Sequence, residues 1–377
     1  MPQEKNEDTV MRDFDFHVPT KIIFGRGRVR DIASAIPAEA RRIMIVTDRI
    51  VAERTPALAA VRRGLEGREV RVFDRVEENP SVATVEAGAR EALDFGASFV
   101  IGLGGGSPLD AAKGIALLAR NSGPLQPYLQ GKALGQDPLP LIAVPTTSGT
   151  GSEVTPYAVF TDTKEGNKIG YSHPGIFPRL ALLDPELTYS MPPAVVLNTG
   201  LDVLAHAMEA YLATTASALS DMAALRSIET VLAEIARAVR KEPEAMDRMA
   251  LAAALAGIAI THGGTILAHI MGYPLTVFHG LAHGRASAVM LVHVLKALRA
   301  DSTTPARVEA MDAVLQPCGG LETFLLGLGV SVRLAGYGVR EEEIPLFARK
   351  TILKGDVRIT PMAVTVETLE AIYREAL

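Results

Sequence analysis

The feature that most restricts this fold is a rhythm in the first half of the chain, where short β-branched runs alternate with stretches of helical character. Residues 42–47 (RIMIVT) read as a strand, 52–65 as helical, 70–73 as a strand, 81–95 as a helix, 98–102 (SFVIG) as a buried strand, 108–119 as a helix and 141–144 (LIAV) as a further strand. A helix between two strands carries the chain back across the sheet, so the strands pair in parallel with helices on both faces. After Asp184-Pro185 and Pro192-Pro193 the pattern changes. Residues 217–240 and 242–260 show long helical periodicity, and 344–354 and 366–377 read as closing helices. At 377 residues the chain is too long for one ordinary core. A boundary is expected near residue 190, with an α/β domain over 1–190 and an all-helical domain over 191–377.

A formal net charge of -5 argues against a nucleic-acid binder, which carries a basic face. Cys318 is the single cysteine, so no internal disulfide or thiolate cluster can form. The first residues, MPQEKNEDTVMRDFDF, hold no apolar run of the kind a secretory signal needs, and a cytoplasmic location is expected. Residues 249–284 contain no Asp, Glu, Lys or Arg, which is long enough to span a bilayer. The same stretch holds His262, His269, His279 and His283 with Pro274. Imidazoles in an uncharged segment fit a buried site better than lipid, so no membrane association is expected.

Two loops have the composition of phosphate cradles. The strand at 98–102 runs into Gly104-Gly105-Gly106-Ser107-Pro108, where backbone amides can approach an anion without a Cβ in the way. Ser107 is a good N-cap and Pro108 a good first helical residue, so a helix is expected to start there with its free N–H groups facing the loop. The match to a dinucleotide fingerprint is only half complete, and a Walker A lysine is missing. Residues 145–153 (PTTSGTGSE) follow the next strand with many hydroxyls and little bulk. Both loops fall at the carboxyl ends of parallel strands, the edge where such sheets bind ligands. Asp48 closes an early strand, the usual place for an acid that reads a ribose.

Asp202 and His206 are four apart on a predicted helix capped by Asn198 or Thr199, and so share a face. A carboxylate and an imidazole at that spacing can share a divalent metal, although a surface hydrogen bond is the commoner use of such a pair. Of eight histidines in the chain, five fall between His262 and His293. One Asp with three His leaves positions open for a substrate oxygen and suits Fe(II) or Zn(II), less well Mn(II).

Taken in order, these residues resemble the iron-containing (group III) alcohol dehydrogenases. The likeness is carried by Pro19–Gly25 (PTKIIFG), Val46-Thr47-Asp48, Asn79-Pro80, Gly104-Gly105-Gly106-Ser107 with Asp110, Ala112 and Lys113, Pro145-Thr146-Thr147 with Gly149-Thr150-Gly151-Ser152-Glu153, Asp184-Pro185, Gly200 with Asp202, Leu204, His206, Ala207 and Glu209, and His269 with His283-Gly284. It covers essentially the whole chain. The resemblance implies the dehydroquinate synthase-like architecture, a Rossmann-like dinucleotide-binding domain followed by an all-α metal- and substrate-binding domain. It implies metal ligands Asp202, His206, His269 and His283, since the family spaces its last two ligands fourteen residues apart; His262 and His279 are left out, and a register pairing position 265 with His279 would have to use Thr265, a poor ligand for these metals. The cofactor would touch Asp48, Asn79, Gly105, Gly106, Ser107, Asp110, Thr146, Thr147 and Thr150, with Lys168 on its ribose side. Many members carry a second histidine four residues after the third ligand. Tyr273 stands there in this chain, so Tyr273 or His279 is expected to serve the proton path.

The implied activity is hydride transfer between NAD(H), with NADP(H) as the alternative, and a small alcohol or aldehyde, assisted by Fe(II) or else Zn(II). Glycerol, a diol, a hydroxy acid or maleylacetate are alternative substrates on the same scaffold, and a non-catalytic metal-binding subunit is the rival of a different class. A homo-oligomer, expected to be a dimer, is also implied.

Overall fold

The apolar runs at 43–46 and 99–104 have no polar alternation, and both are buried throughout. That is the pattern of strands covered on two sides. The structure is a computed structural model and describes residues 13–121, 123–163 and 167–377. Its strands are β1 (Lys21–Phe24), β2 (Arg42–Val46), β3 (Glu69–Phe73), β4 (Phe99–Gly104), β5 (Leu141–Pro145), β6 (Tyr157–Asp162), β7 (Asn167–Ser172) and β8 (Leu180–Leu183). Six form one sheet in the order β1-β8-β5-β4-β2-β3, with every pairing parallel, while β6 and β7 make a separate antiparallel pair. Alternate residues of β2 serve opposite cores. Met44 and Val46 pack with Val85 and Ile115, whereas Ile43 and Ile45 pack with Val61 and Ile101.

The helices of this part are α1 (Arg49–Arg54), α2 (Ala57–Arg63), α3 (Val82–Phe95), α4 (Gly106–Leu118) and α5 (Gln126–Leu129). The helical stretch expected at 52–65 is two helices, broken at Thr55, which is extended because Pro56 follows it. Ser81 caps α3, accepting from the Thr84 amide at 3.1 Å. From β2 the chain goes outward to β3, then returns to β4 on the other side of β2. The sheet therefore has its switch point between β2 and β4, where ligands of such sheets collect.

The remainder is helical: α6 (Pro193–Leu212), α7 (Ala218–Val239), α8 (Pro243–Gly263), α9 (Leu267–His279), α10 (His283–Asp301), α11 (Pro305–Leu315), α12 (Leu321–Gly327), α13 (Ile344–Thr351) and α14 (Val366–Ala376). α6 starts at Pro193, before the expected caps Asn198 and Thr199, because proline is pre-set for a first helical position. Asn198 instead accepts from the Arg285 guanidinium at 3.1 Å. Among the described residues no single helix is long and apolar enough to cross a membrane. The pair α8 and α9 passes only jointly and is bent by 113° at its break.

The described residues form two compact units. One holds Val18–Val196 with Arg237–Gly257. The other holds Leu197–Ala236 and Ile258–Leu377, with the described residues up to His17. The segment 237–257 thus clusters with the sheet, although it is helical.

Candidate metal and cofactor sites

In the sheet unit, β2 ends at Val46, which pairs with Gly102 of β4, two residues before that strand ends at Gly104. Asp48 caps α1, its Oδ1 accepting from the Val51 amide at 2.8 Å. The glycine loop turns into α4 earlier than expected: the helix begins at Gly106 with Gly105 as its N-cap. Pro108 still lies in the first turn, where its missing N–H costs nothing. Ser107 is released from capping, and its Oγ accepts from the Asn79 amide at 3.0 Å. Asn79, at φ 57°, accepts at its Oδ1 from Lys168 Nζ at 2.7 Å and at its carbonyl from Thr161 Oγ1 at 2.9 Å. Asn79, Ser107 and Lys168 are therefore joined in space across a separation of 89 in sequence.

The two loops lie against each other. A Cβ at Gly106 would stand 2.6 Å from Thr150 Cγ2, and one at Gly105 would stand 3.2 Å from Thr147 Oγ1. The Thr146 amide donates to the Gly104 carbonyl at 2.9 Å. Asp110 behaves differently from the others. Its Oδ1 accepts from Ser152 Oγ at 2.7 Å and its Oδ2 from the Val159 amide at 2.8 Å, so both oxygens are taken by the protein.

In the helical unit, Asp202, His206 and His269 are all buried. Asp202 Oδ1 stands 3.6 Å from His269 Nε2 and 3.8 Å from His283 Nε2. Neither Asp202 Oδ1 nor His269 Nε2 has a hydrogen-bond partner among the described residues, although both are buried. One ligand atom from each of Asp202, His269 and His283 lies within 4.8 Å of the others. His206 flanks this group, its ring stacked on that of His269 at 4.4 Å and its Nδ1 4.0 Å from Asp202 Oδ2. Donors about 2.1 Å from one cation sit roughly 3–4 Å apart, so this spacing fits a shared ion. Burial disfavours charge on both Asp202 and His269. Even so, His206 and His283 hold the Asp202 carboxyl below the ordinary range, while Glu209 and Asp202 push His269 up to about 10. A carboxylate buried among imidazoles is a set of groups that a divalent cation can pair with as the imidazoles lose their protons.

Tyr273 is one turn beyond His269 on α9, and its ring stacks on His283 at 5.6 Å between centroids. Burial first, then the charges of Asp356, Glu209 and Asp202, raise its phenol above the ordinary range, so it stays protonated. His279 is not brought to the cluster. It lies ten residues after His269 in the same helix, about 15 Å along the axis. Its Nε2 stands 3.2 Å from Glu343 and its ring is edge-on to Phe347. His262 stacks on Phe16 at 4.0 Å, and Thr265 donates to Asp356 at 2.8 Å.

The profile of the iron-containing alcohol dehydrogenase family matches residues 19–185, and that of the family's C-terminal part matches residues 196–377. The chain belongs to the iron-containing alcohol dehydrogenase family. It is 32% identical to alcohol dehydrogenase 4 of Schizosaccharomyces pombe, over 96% of this chain and 89% of that protein. An iron-containing alcohol dehydrogenase from Thermotoga maritima superposes with a TM-score of 0.89 at 34% identity, covering 97% of this chain and 99% of that one. A sulfoacetaldehyde reductase from Bifidobacterium kashiwanohense, solved in complex with NAD+, superposes with a TM-score of 0.87 at 30% identity, covering 97% and 99%.

Two buried groups of this family member were not singled out from sequence for any role. Lys113 is fully buried on α4, and its Nζ donates to Ser152 Oγ at 2.8 Å, Thr155 Oγ1 at 3.3 Å and the Tyr157 carbonyl at 2.5 Å. Burial brings it down to about 8 against the pull of Asp110 and Glu153, and burial brings Glu153 up to about 7. These links tie the second loop to the helix that follows the first. Glu209 is fully buried on α6, three residues beyond His206. That i, i+3 spacing from a candidate ligand was the available signal. Its Oε2 accepts from the amides of Ile266 at 2.8 Å and His269 at 3.3 Å, and its Oε1 meets His269 Nδ1 in a short contact.

Proposed function

We propose that this dehydrogenase interconverts a small alcohol and its aldehyde with NAD(H), on a divalent metal held by Asp202, His206, His269 and His283. Fe(II) is favoured, with Zn(II) as the alternative. The reading rests above all on the buried facing pair of Asp202 Oδ1 and His269 Nε2, 3.6 Å apart with no hydrogen-bond partner among the described residues. When bound, the metal would supply Lewis acidity toward an alcohol or carbonyl oxygen, and the nicotinamide would supply the redox chemistry. Residues 1–190 are assigned to dinucleotide binding and 191–377 to metal and substrate. We further assign Asp48, Asn79, Gly105, Gly106, Ser107, Thr146, Thr147, Thr150 and Lys168 to cofactor contact, and Asp110 to holding the second loop in place. A homodimer in the cytoplasm completes the reading. The direct test is NAD reduction over a panel of alcohols, with metal content measured on the same preparation. A folded, metal-loaded protein inactive on every alcohol and aldehyde tried would overturn it.

The carboxylate of Asp48 accepts hydrogen bonds from ribose hydroxyls and repels a 2′-phosphate. Like charges in contact near a surface cost on the order of 1–4 kcal/mol, and about 1.4 kcal/mol is tenfold in preference. Asp48→Ser keeps an oxygen to cap α1. It is expected to raise the NADP(H)-to-NAD(H) ratio of kcat/KM about tenfold or more. An unchanged ratio would show that Asp48 does not face the ribose.

Tyr273 is assigned to the proton path, because its hydroxyl stays protonated on the helix face that carries His269. His279 is withdrawn from that role by its distance. Tyr273→Phe is expected to lower kcat about 10²-fold, the lower end for acid–base assistance, and to change the pH–rate profile while metal content stays at the parental level. A parental profile in the variant would leave Tyr273 as a packed aromatic.

A further inference from the structure

The two oxygens of Glu209 have different partners, and the difference has a chemical consequence for His269. Oε2 accepts from the backbone amides of Ile266 and His269, at 2.8 Å and 3.3 Å. Those amides open α9, whose N-cap position is Ile266, a residue with no capping oxygen. Glu209 therefore supplies from α6 the cap that α9 lacks locally. Backbone amides only donate, so whatever atom stands at Oε2 must accept. Oε1, against His269 Nδ1, also accepts when the carboxylate is ionised. Nδ1 must then carry a hydrogen. When a cation takes the place of the second proton the imidazole is neutral with one N–H, so its lone pair is left on Nε2, the nitrogen 3.6 Å from Asp202 Oδ1.

We infer that Glu209 is a positioning residue that locks His269 in the Nδ1–H tautomer and so makes Nε2 the metal-donating atom. The inference rests on the reading of His269 as a ligand. Both oxygens of Glu209 are taken by the start of α9 and by the His269 ring. Glu209 acts through His269, in the way a carboxylate behind a metal-bound imidazole fixes ring orientation and raises ligand basicity.

Glutamine at 209 separates this role from simple packing. Its shape matches glutamate, but only one of its two ends accepts. The carbonyl end must remain on the two backbone amides, and the amide NH2 then faces Nδ1. Nδ1 is forced to accept, and the imidazole proton moves to Nε2, the atom needed for the metal. The gentlest substitution for packing becomes a severe one for metal binding.

The experiment strips metal from the parent, Glu209→Gln and Asp202→Asn with a chelator, then titrates each with Zn(II) to obtain Kd. Imidazole ¹⁵N shifts of the Zn-loaded parent report which nitrogen of His269 holds the hydrogen. Glu209→Gln is expected to weaken Zn(II) binding about 100-fold, the upper end for such outer partners, while the apo-proteins melt within a few degrees of one another. The loaded parent is expected to show Nδ1–H at His269. Zn(II) binding by Glu209→Gln within threefold of the parent would overturn the inference, as would a loaded parent protonated at Nε2. The ¹⁵N measurement decides the matter even if the variant fails to fold. A folded parent that takes up no Zn(II) and no Fe(II), or an Asp202→Asn that binds as the parent does, would instead overturn the metal reading itself.

Discussion

Asp202→Asn is expected to leave the chain folded and nearly free of metal, with kcat/KM reduced by about 10³-fold or more. Asparagine fills the same volume but brings no charge to a pocket where Asp202 stands 4.0 Å, 3.6 Å and 3.8 Å from nitrogens of His206, His269 and His283. The other members of the candidate set are imidazoles, so the variant would ask neutral donors alone to compensate a buried divalent ion. Lewis-acid assistance is worth several kcal/mol of transition-state stabilisation, and each 1.36 kcal/mol is tenfold in rate. Metal per chain and kcat/KM, measured on one preparation, check the expectation. Full metal occupancy at the parental rate would remove Asp202 from the site.

A single methyl group at position 284 should do comparable damage by a different route. A Cβ on Gly284 would lie 2.1 Å from the Asn198 carbonyl oxygen and 2.6 Å from both the amide nitrogen and the Cβ of Asp202. The obstacle is the backbone of α6, which has no rotamer to yield, so the start of α10 has to move. His283 is the adjacent residue and Asp202 lies directly across, so the shift is delivered to two candidate ligands. Overpacking of this kind costs about 1–3 kcal/mol, occasionally more. Gly284→Ala is therefore expected to melt several degrees below the parent and to bind metal at least tenfold more weakly, about the effect of losing a supporting contact. Gly327→Ala, where no heavy atom lies within 4 Å of the added Cβ, is the control and should match the parent. Melting curves and Zn(II) titrations of the two variants give the answer. Parental values for Gly284→Ala would mean that α6 and α10 yield freely at this contact.

The parallel sheet was legible because its central strands are uninterrupted apolar runs between helical stretches. β1 and β8 escaped that reading: both have only four residues, and the LALL of β8 has the composition of a helix. The break in the helical stretch at 52–65 was written in Thr55-Pro56, which restricts the residue before proline. The start of α4 was misjudged because Ser107 is a good cap in isolation, and only the fold brings the Asn79 amide to its hydroxyl. For the metal cluster, the i, i+4 pair of Asp202 and His206 follows from helical geometry. The joining of His269 and His283 does not, since it depends on how α9 turns at Gly280 into α10. Here the resemblance supplied what spacing could not. His279 was credited with nearness because it lies between two ligands in sequence, yet it stands ten residues along α9 from the first of them and meets Glu343 instead. The segment 237–257 reads as helix in either unit, and nothing in its composition says which core it joins.

The candidate ligands come from three helices: Asp202 and His206 from α6, His269 from α9, and His283 from the first residue of α10. An extended chain offers an ion no comparable site, so binding there would be selective for the folded helical unit. Free metal then becomes a thermodynamic lever on the fold itself. At one hundred times its dissociation constant it adds about 2.7 kcal/mol to the free energy of unfolding. The enzyme's lifetime against proteases that attack opened chains would then follow the metal supply of the cell. Scarcity would remove protein as well as turnover, and a preparation judged unstable in chelating buffer would regain its melting temperature when the ion is returned.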